Sequence, residues 1–282
     1  MITSTSNSKI KNLNKCLKNA KERRKQDIFL VEGLRMFAEI PQHMHVETYA
    51  TEEFYHSHRE LFKEISFELV ADHVMDTISD TRTPQGVVSI VKRKHYEPEE
   101  VCRLDTSMAP LILAIENLQD PGNLGTIVRT AEGAGVTGIF MSRDTVDIYN
   151  PKVVRSTMGS IFRVPFCYVE NLTQQILELN RKGCRTYSAH TQGTSFYDED
   201  YCYPTIFCIG NEGNGLSEAL ISACNCKISI PMAGKVESLN AATAATVLMY
   251  EAMRQRSTLN RQKYSFLEEK SPFYKMTFCT NI

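Results

Sequence analysis

The chain has 282 residues, 42% hydrophobic and 23% charged, with a formal net charge of −1 and nine cysteines. That composition suits a globular protein with room for one large core or two, and argues against disordered, fibrous and disulfide-scaffold classes. No apolar run approaches the roughly 18 residues that cross a bilayer, and the polar, basic amino terminus carries no leader-like apolar stretch, so a cytoplasmic protein is expected.

The first element is basic. Residues 9–25 hold eight Lys or Arg and a single acid, Glu22, in a helical stretch. Such a face can meet phosphates even in a near-neutral chain, which makes Lys9, Lys11, Lys15, Arg23 and Arg24 candidate nucleic-acid contacts; a solvated helix face is the plain alternative. Lys92-Arg93-Lys94 forms a second short cluster. Between them, the apolar runs 28–31 and 86–91 read as strands, giving a small α/β unit over residues 1–95. The pairs His43/His45 and His56/His58 read as surface histidines, since neither has cysteines or carboxylates to complete a metal shell. Residues 96–110, with Pro98, Glu99, Glu100, Asp105 and Pro110, lose periodicity and gain charge, as a linker does.

From Leu111 onward, apolar runs at 111–115, 138–141, 167–169, 186–189, 205–209 and 227–230 alternate with helical patterns. Strands buried on both faces and separated by helices make a mostly parallel α/β sheet. A last helix is expected from near Ser238, its stripe of Leu239, Thr243, Thr246, Val247, Tyr250 and Met253 packing on the sheet or on a second subunit. The segment 257–282, with Tyr264, Phe266, Phe273, Tyr274 and Phe278 among charges, has no readable role. The scattered cysteines include no Cys-x-x-Cys, and no metal site is expected.

Three segments place glycines and polar side chains directly after apolar runs, where open α/β sheets bind ligands. In the first, Glu116-Asn117-Leu118-Gln119-Asp120-Pro121-Gly122-Asn123-Leu124-Gly125 has strong turn chemistry. Asn123 is its expected helix N-cap, and Arg129, six residues on, is expected on the same side of that helix. An ordinary cap and a surface arginine are the bland reading. The second segment, Gly210-Asn211-Glu212-Gly213-Asn214-Gly215-Leu216-Ser217, lets backbone amides approach a ligand and sets the Glu212 carboxylate among them. The third runs from Ile230-Pro231-Met232 through Gly234 and Lys235 to Ser238-Leu239-Asn240, where Ser238 and Asn240 either cap a helix or hold a ligand. Gly133-Ala134-Gly135-Val136-Thr137-Gly138 has dinucleotide-binding spacing but follows a helix and precedes a strand, the reverse of the required order, and is read as a turn. A nucleotide-dependent oxidoreductase or ligase on a plain doubly wound sheet is therefore the weaker competitor.

Taken together, N-L-G-x-x-x-R, then G-N-E-G-x-G-L-S, then I-P-M followed by S-L-N resemble the three motifs of the SpoU/TrmH family of RNA ribose 2′-O-methyltransferases, over residues 111–256. Residues 8–93 are more loosely similar to the substrate-binding domain of larger family members. The resemblance implies an α/β chain whose methyltransferase domain, 111–256, is a parallel sheet with helices on both faces and a deep trefoil knot. The 96–110 linker would join it to an amino-terminal α/β RNA-binding domain, 1–95, with the 257–282 tail unassigned. It further implies S-adenosylmethionine as cofactor, S-adenosylhomocysteine as product, no metal, and a homodimer whose active sites the partner completes. By motif position, Gly210, Ile230, Met232 and Leu239 line the cofactor pocket, and Asn123, Arg129, Glu212, Ser238 and Asn240 form the catalytic set. The family's proposal that the motif arginine acts on the ribose hydroxyl falls here on Arg129. A guanidinium stays protonated up to about pH 12, so an electrostatic role beside the developing oxyanion is preferred to that of a literal base. Glu212, Ser238 and Asn240 would orient Arg129 or the ribose. Large-subunit (23S) ribosomal RNA is the favoured substrate and transfer RNA the alternative. The rival from another class is a non-catalytic RNA-binding protein with the same fold, against which the intact polar set argues.

Overall fold

The computed structural model describes residues 1–104 and 109–268; Asp105, Phe273, Tyr274 and Phe278 lie outside the described residues. Asn7 opens the first helix by accepting from the Lys9 N–H, and Asn19 both ends it and caps the next. The basic stretch is therefore two helices, α1 (Ser8–Lys18) and α2 (Ala20–Gln26), not one. They are followed by β1 (Ile28–Glu32), α3 (Leu34–Ala38), β2 (His45–Ala50), α4 (Glu52–Ser57), β3 (Phe67–Leu69), α5 (Asp72–Ile78) and β4 (Val87–Lys92). These four strands form one sheet in the order β1-β4-β2-β3, with β4 antiparallel to both neighbours. One face carries Ile10, Leu13 and Cys16 of α1 packed with Val74, Met75 and Ile78 of α5.

Helix α6 (Pro98–Val101) follows. The expected linker is thus packed rather than free: Val101 is fully buried, and its carbonyl oxygen stands 2.2 Å from where a Cβ on Gly138 would be. Only glycine fits at that position, which accounts for the last glycine of the dinucleotide-like spacing.

The second sheet is built from β5 (Leu111–Ile115), α7 (Pro121–Gly133), β6 (Gly138–Ser142), α8 (Pro151–Thr157), β7 (Phe166–Val169), α9 (Leu172–Arg181), β8 (Arg185–Ser195), β9 (Thr205–Ile209), α10 (Glu218–Ala223), β10 (Cys226–Ser229) and α11 (Ala241–Glu268). Its order is β10-β8-β9-β5-β6-β7 and every pairing is parallel. Side chains of a strand alternate between faces, and β5 divides accordingly. Leu111, Leu113 and Ile115 join the core beneath α7, α8 and α11, whereas Ile112 and Ala114 join the core beneath α9 and α10. The first core also takes in Phe29 and Phe37 of the four-stranded unit, with Phe29 and Tyr149 ring centroids 4.6 Å apart. The two sheets therefore share one apolar core.

The face of α11 packed on the sheet is Ala242, Ala245, Leu248, Met249 and Ala252; of the stripe read from the sequence, Val247 packs against that core, Tyr250 and Met253 are 47% and 38% exposed, and Leu239 precedes the helix. Small residues let α11 lie close on α7 and β9, and a hydrophobicity pattern undercounts alanine. Of the four histidines read as surface residues, His43 and His56 are exposed, whereas His45 and His58 are half-buried. His58 stacks on Phe54 at 4.4 Å, and burial holds the His45 imidazole below its ordinary pKa. Among the described residues, no group of three or more His, Cys, Asp or Glu is placed to hold a metal, and no helix is long and apolar enough to cross a membrane.

Candidate active site

Strands β5 and β9 are parallel neighbours with Ile115 paired to Ile209, so the first two motif segments leave the sheet side by side. Glu116, 8% exposed, joins them: its carboxylate accepts from the backbone N–H and the hydroxyl of Ser217, both at 2.7 Å. The amide of Asn211 donates to the Asn117 carbonyl at 2.8 Å, while its Oδ1 accepts from the N–H groups of Gly213 and Asn214. Asn211 and Gly215 exchange backbone hydrogen bonds at 3.0 Å, closing the loop on itself. Gly210 sits under this closure. A Cβ there would lie 2.2 Å from the Gly215 carbonyl carbon and 2.4 Å from the Leu216 nitrogen.

Glu212 reaches out of the loop to the first motif, accepting from Asn123 Nδ2 at 2.9 Å, Asp120 N at 3.0 Å and Gln119 N at 3.1 Å. Burial acts to raise its pKa, but those three donors, with Asn123 foremost, outweigh it and hold the carboxyl below its ordinary range. Asn123 Oδ1 in turn accepts from Asn240 Nδ2 at 3.0 Å, and Asn240 Oδ1 caps α11 by accepting from Ala242 N at 2.9 Å. One chain of side-chain amides and a carboxylate thus ties together the three motif segments. Asn123 is not the N-cap of α7; Asp120 is, accepting from Asn123 N at 2.8 Å, with Pro121 in the first helical position.

Beside this chain lies a cavity of 570 Å³, walled by Gly210, Ile230, Met232, Ser238 and Leu239, with Glu212 at its edge. Its volume lies in the range of small-molecule and cofactor sites, about 300–1,000 Å³. Apolar side chains combine here with polar ones, His190, Thr191 and Ser238 among them, around a backbone position where no side chain is tolerated. Ala189, His190 and Thr191 of β8 line the cavity as well, which the sequence does not signal because no motif marks that strand.

Arg129 does not join the polar chain. Six residues turn a helix by about 600°, so Arg129 lies about 120° around α7 from Asn123 and about 9 Å further along its axis. Its side chain is exposed and makes none of the hydrogen bonds or ion pairs found among the described residues. Ser238 lines the cavity but likewise makes no bond to Arg129. Of the basic set, Lys11, Lys15 and Arg24 are exposed, whereas Lys9 pairs with Glu47 at 2.6 Å and with Glu68. Arg23 leaves the set. It is 3% exposed, donating to the Cys16 carbonyl at 2.9 Å and to Asp147 at 2.6 Å, where no phosphate can reach it.

Comparison with known proteins agrees with this geometry. A model of the SpoU rRNA Methylase family matches residues 110–250, and one of the MRM3-like substrate binding domain matches residues 7–89. An uncharacterized tRNA/rRNA methyltransferase of Synechocystis is 33% identical, covering 90% of this chain and 94% of its own. The 23S rRNA (guanosine(2553)-2'-O)-methyltransferase RlmP of Bacillus subtilis is 32% identical over 88% of this chain and 97% of its own. The crystal structure of the SpoU methyltransferase AviRb from Streptomyces viridochromogenes with AdoMet superposes with a TM-score of 0.80 at 29% identity, covering 89% of this chain and 99% of that one.

Proposed function

The chain belongs to the SpoU rRNA methylase family, and we propose that it transfers a methyl group from S-adenosylmethionine to a ribose 2′-hydroxyl of large-subunit ribosomal RNA. The observation that carries this reading is the Glu212–Asn123–Asn240 chain standing at the edge of a 570 Å³ cavity at the carboxyl ends of β5 and β9. Gly210, Ile230, Met232 and Leu239 would hold S-adenosylmethionine. When bound, it supplies the electrophilic methyl group. Glu212, fully engaged and held ionised, is a poor proton acceptor; its part is to fix the turn and the orientation of the Asn123 amide. Transfer to an oxygen depends on alignment, which rigid flanking groups provide. Arg129, permanently charged, stabilises the oxyanion that develops as the hydroxyl loses its proton, and Ser238 orients the ribose at the cavity mouth.

The reading carries a homodimer. Tyr250 and Met253 are exposed apolar side chains on the outer side of α11, Val236 is exposed in the segment before it, and the Tyr250 hydroxyl lies 3.2 Å from where a Cβ on Gly133 would be. Gly133 is one turn from Arg129 on the same face of α7, so an interface on this stripe presents Arg129 to the site of the second copy. The reading also carries the trefoil knot, supported by the meeting of segment 230–240 with the 210–215 loop and Asn123 at one sheet end. Lys9, Lys11, Lys15 and Arg24 would contact RNA phosphates. The matches to 23S rRNA methyltransferases and to a substrate-binding domain favour ribosomal over transfer RNA. The test is methyl transfer from labelled S-adenosylmethionine to purified ribosomal and transfer RNA from cells lacking the gene. Label in large-subunit RNA is expected; label in transfer RNA alone would refute the substrate.

A further inference from the structure

Arg155 of α8 crosses from the six-stranded unit to the four-stranded one. Both terminal nitrogens stand 3.2 Å from Asp80 Oδ2, and Nη1 lies 3.9 Å from Glu32 Oε2. Glu32 organises the 79–86 loop, accepting from the hydroxyls of Ser79 and Thr81 and, at 2.9 Å, from the Asp80 N–H. One turn earlier on the same face of α8, Lys152 Nζ stands 3.8 Å from Asp120 Oδ2, the cap of the turn that bears Asn123. Helix α8 cannot slide along α7, because the backbone contact is too close. A Cβ on Gly125 would lie 2.4 Å from Ser156 Cβ and 2.8 Å from the Val153 carbonyl. The charges along this line compensate: Lys152 faces Asp120, and Arg155 faces Asp80 and Glu32. Arg155 is thus a bridge between parts of the protein, while Lys152 rests more loosely on Asp120.

We propose that α8 is a positioning element, with Arg155 holding the 79–86 loop of the substrate-binding unit one helical turn from the Asp120 cap of the active-site turn. The distance between the surface that holds the RNA and the site that receives the ribose is then set by a rigid helix, and with it the choice of nucleotide. This rests on the methyltransferase reading above. The experiment compares wild type, Arg155→Ala, Asp80→Arg and the conservative Arg155→Lys protein. It reads kcat and KM for large-subunit ribosomal RNA, the position of the methylated ribose, and S-adenosylhomocysteine affinity. Arg155→Ala is expected to raise KM at least fivefold and to spread label onto neighbouring riboses, with S-adenosylhomocysteine affinity unchanged and Arg155→Lys retaining selectivity. Unaltered KM and unaltered position in Arg155→Ala would overturn the positioning role. A wild-type protein that methylates no RNA would instead overturn the reading on which it rests. Hydrogen exchange of the 79–86 amides without RNA gives a second measure: faster exchange in Arg155→Ala is expected, and unchanged exchange refutes the clamp.

Discussion

Replacing Gly210 by alanine adds one methyl group where three backbone atoms already stand: the Gly215 carbon at 2.2 Å, its oxygen at 2.4 Å and the Leu216 nitrogen at 2.4 Å. None can swing aside as a side-chain tip could, so the 210–215 loop must open or the strand must shift. Forcing extra volume into a closed site costs about 1–3 kcal/mol. If the loop must return to its present shape to hold the cofactor, that cost appears in binding as a loss of roughly five- to 150-fold. Calorimetric titration with S-adenosylhomocysteine measures it, with the melting temperature read in parallel. Gly213→Ala is the control, since its nearest contact would be Asn211 Oδ1 at an ordinary 3.5 Å. Gly210→Ala binding as wild type binds, with Gly213→Ala no different, would refute the assignment of this loop to the cofactor.

Asn240→Asp keeps the α11 cap, because aspartate caps as well as asparagine, but loses the donor to Asn123; transfer should fall at least tenfold with the melting temperature nearly unchanged, and equal loss of both would make Asn240 a structural residue only. Glu212 has a folded pKa below its unfolded value near 4.3, so its hydrogen bonds support the loop above that value and are lost as pH falls through the folded pKa. The ratio of S-adenosylhomocysteine affinities, wild type over Glu212→Gln, should accordingly hold steady from about pH 8 to 5 and shrink below about pH 4; shrinkage between pH 7 and 5 would contradict it. Arg23→Ala leaves Asp147 and two helix-end carbonyls without their donor, at a cost of roughly 3 kcal/mol in denaturant unfolding, while Arg24→Ala should leave stability within about 0.5 kcal/mol and weaken RNA binding instead.

The motif segments were legible because their chemistry is local: glycines where loops close, polar amides after apolar runs, and the fully buried strands β5 and β9 from which two of them leave. What they build together was not. Asn240 meets Asn123 across 117 residues, and no local pattern reports that contact. Two errors came from treating local patterns too loosely. Pro121 at the first helical position marks Asp120 as the cap, which makes Asn123 a first-turn residue, and the helical pitch separates Arg129 from it. Arg23 shows the reverse case. In sequence it is one of eight basic residues, and only the packing of α2 beside Asp147 takes it out of reach of a phosphate. The face of α11 that meets the sheet is carried by Ala242, Ala245 and Ala252 as much as by Leu248 and Met249, so weighing only the larger side chains does not single it out.

The most direct test of the central claim is to incubate large-subunit ribosomal RNA from cells lacking the gene with labelled S-adenosylmethionine and to locate the label within the nucleotide, using wild type and Arg129→Ala. The account predicts label on a ribose 2′-oxygen with wild type, and a rate roughly 100- to 1,000-fold lower with Arg129→Ala, the range seen when an oxyanion-stabilising donor is removed, at unchanged S-adenosylhomocysteine affinity. Label on a base, or an Arg129→Ala protein that transfers as fast as wild type, would contradict it.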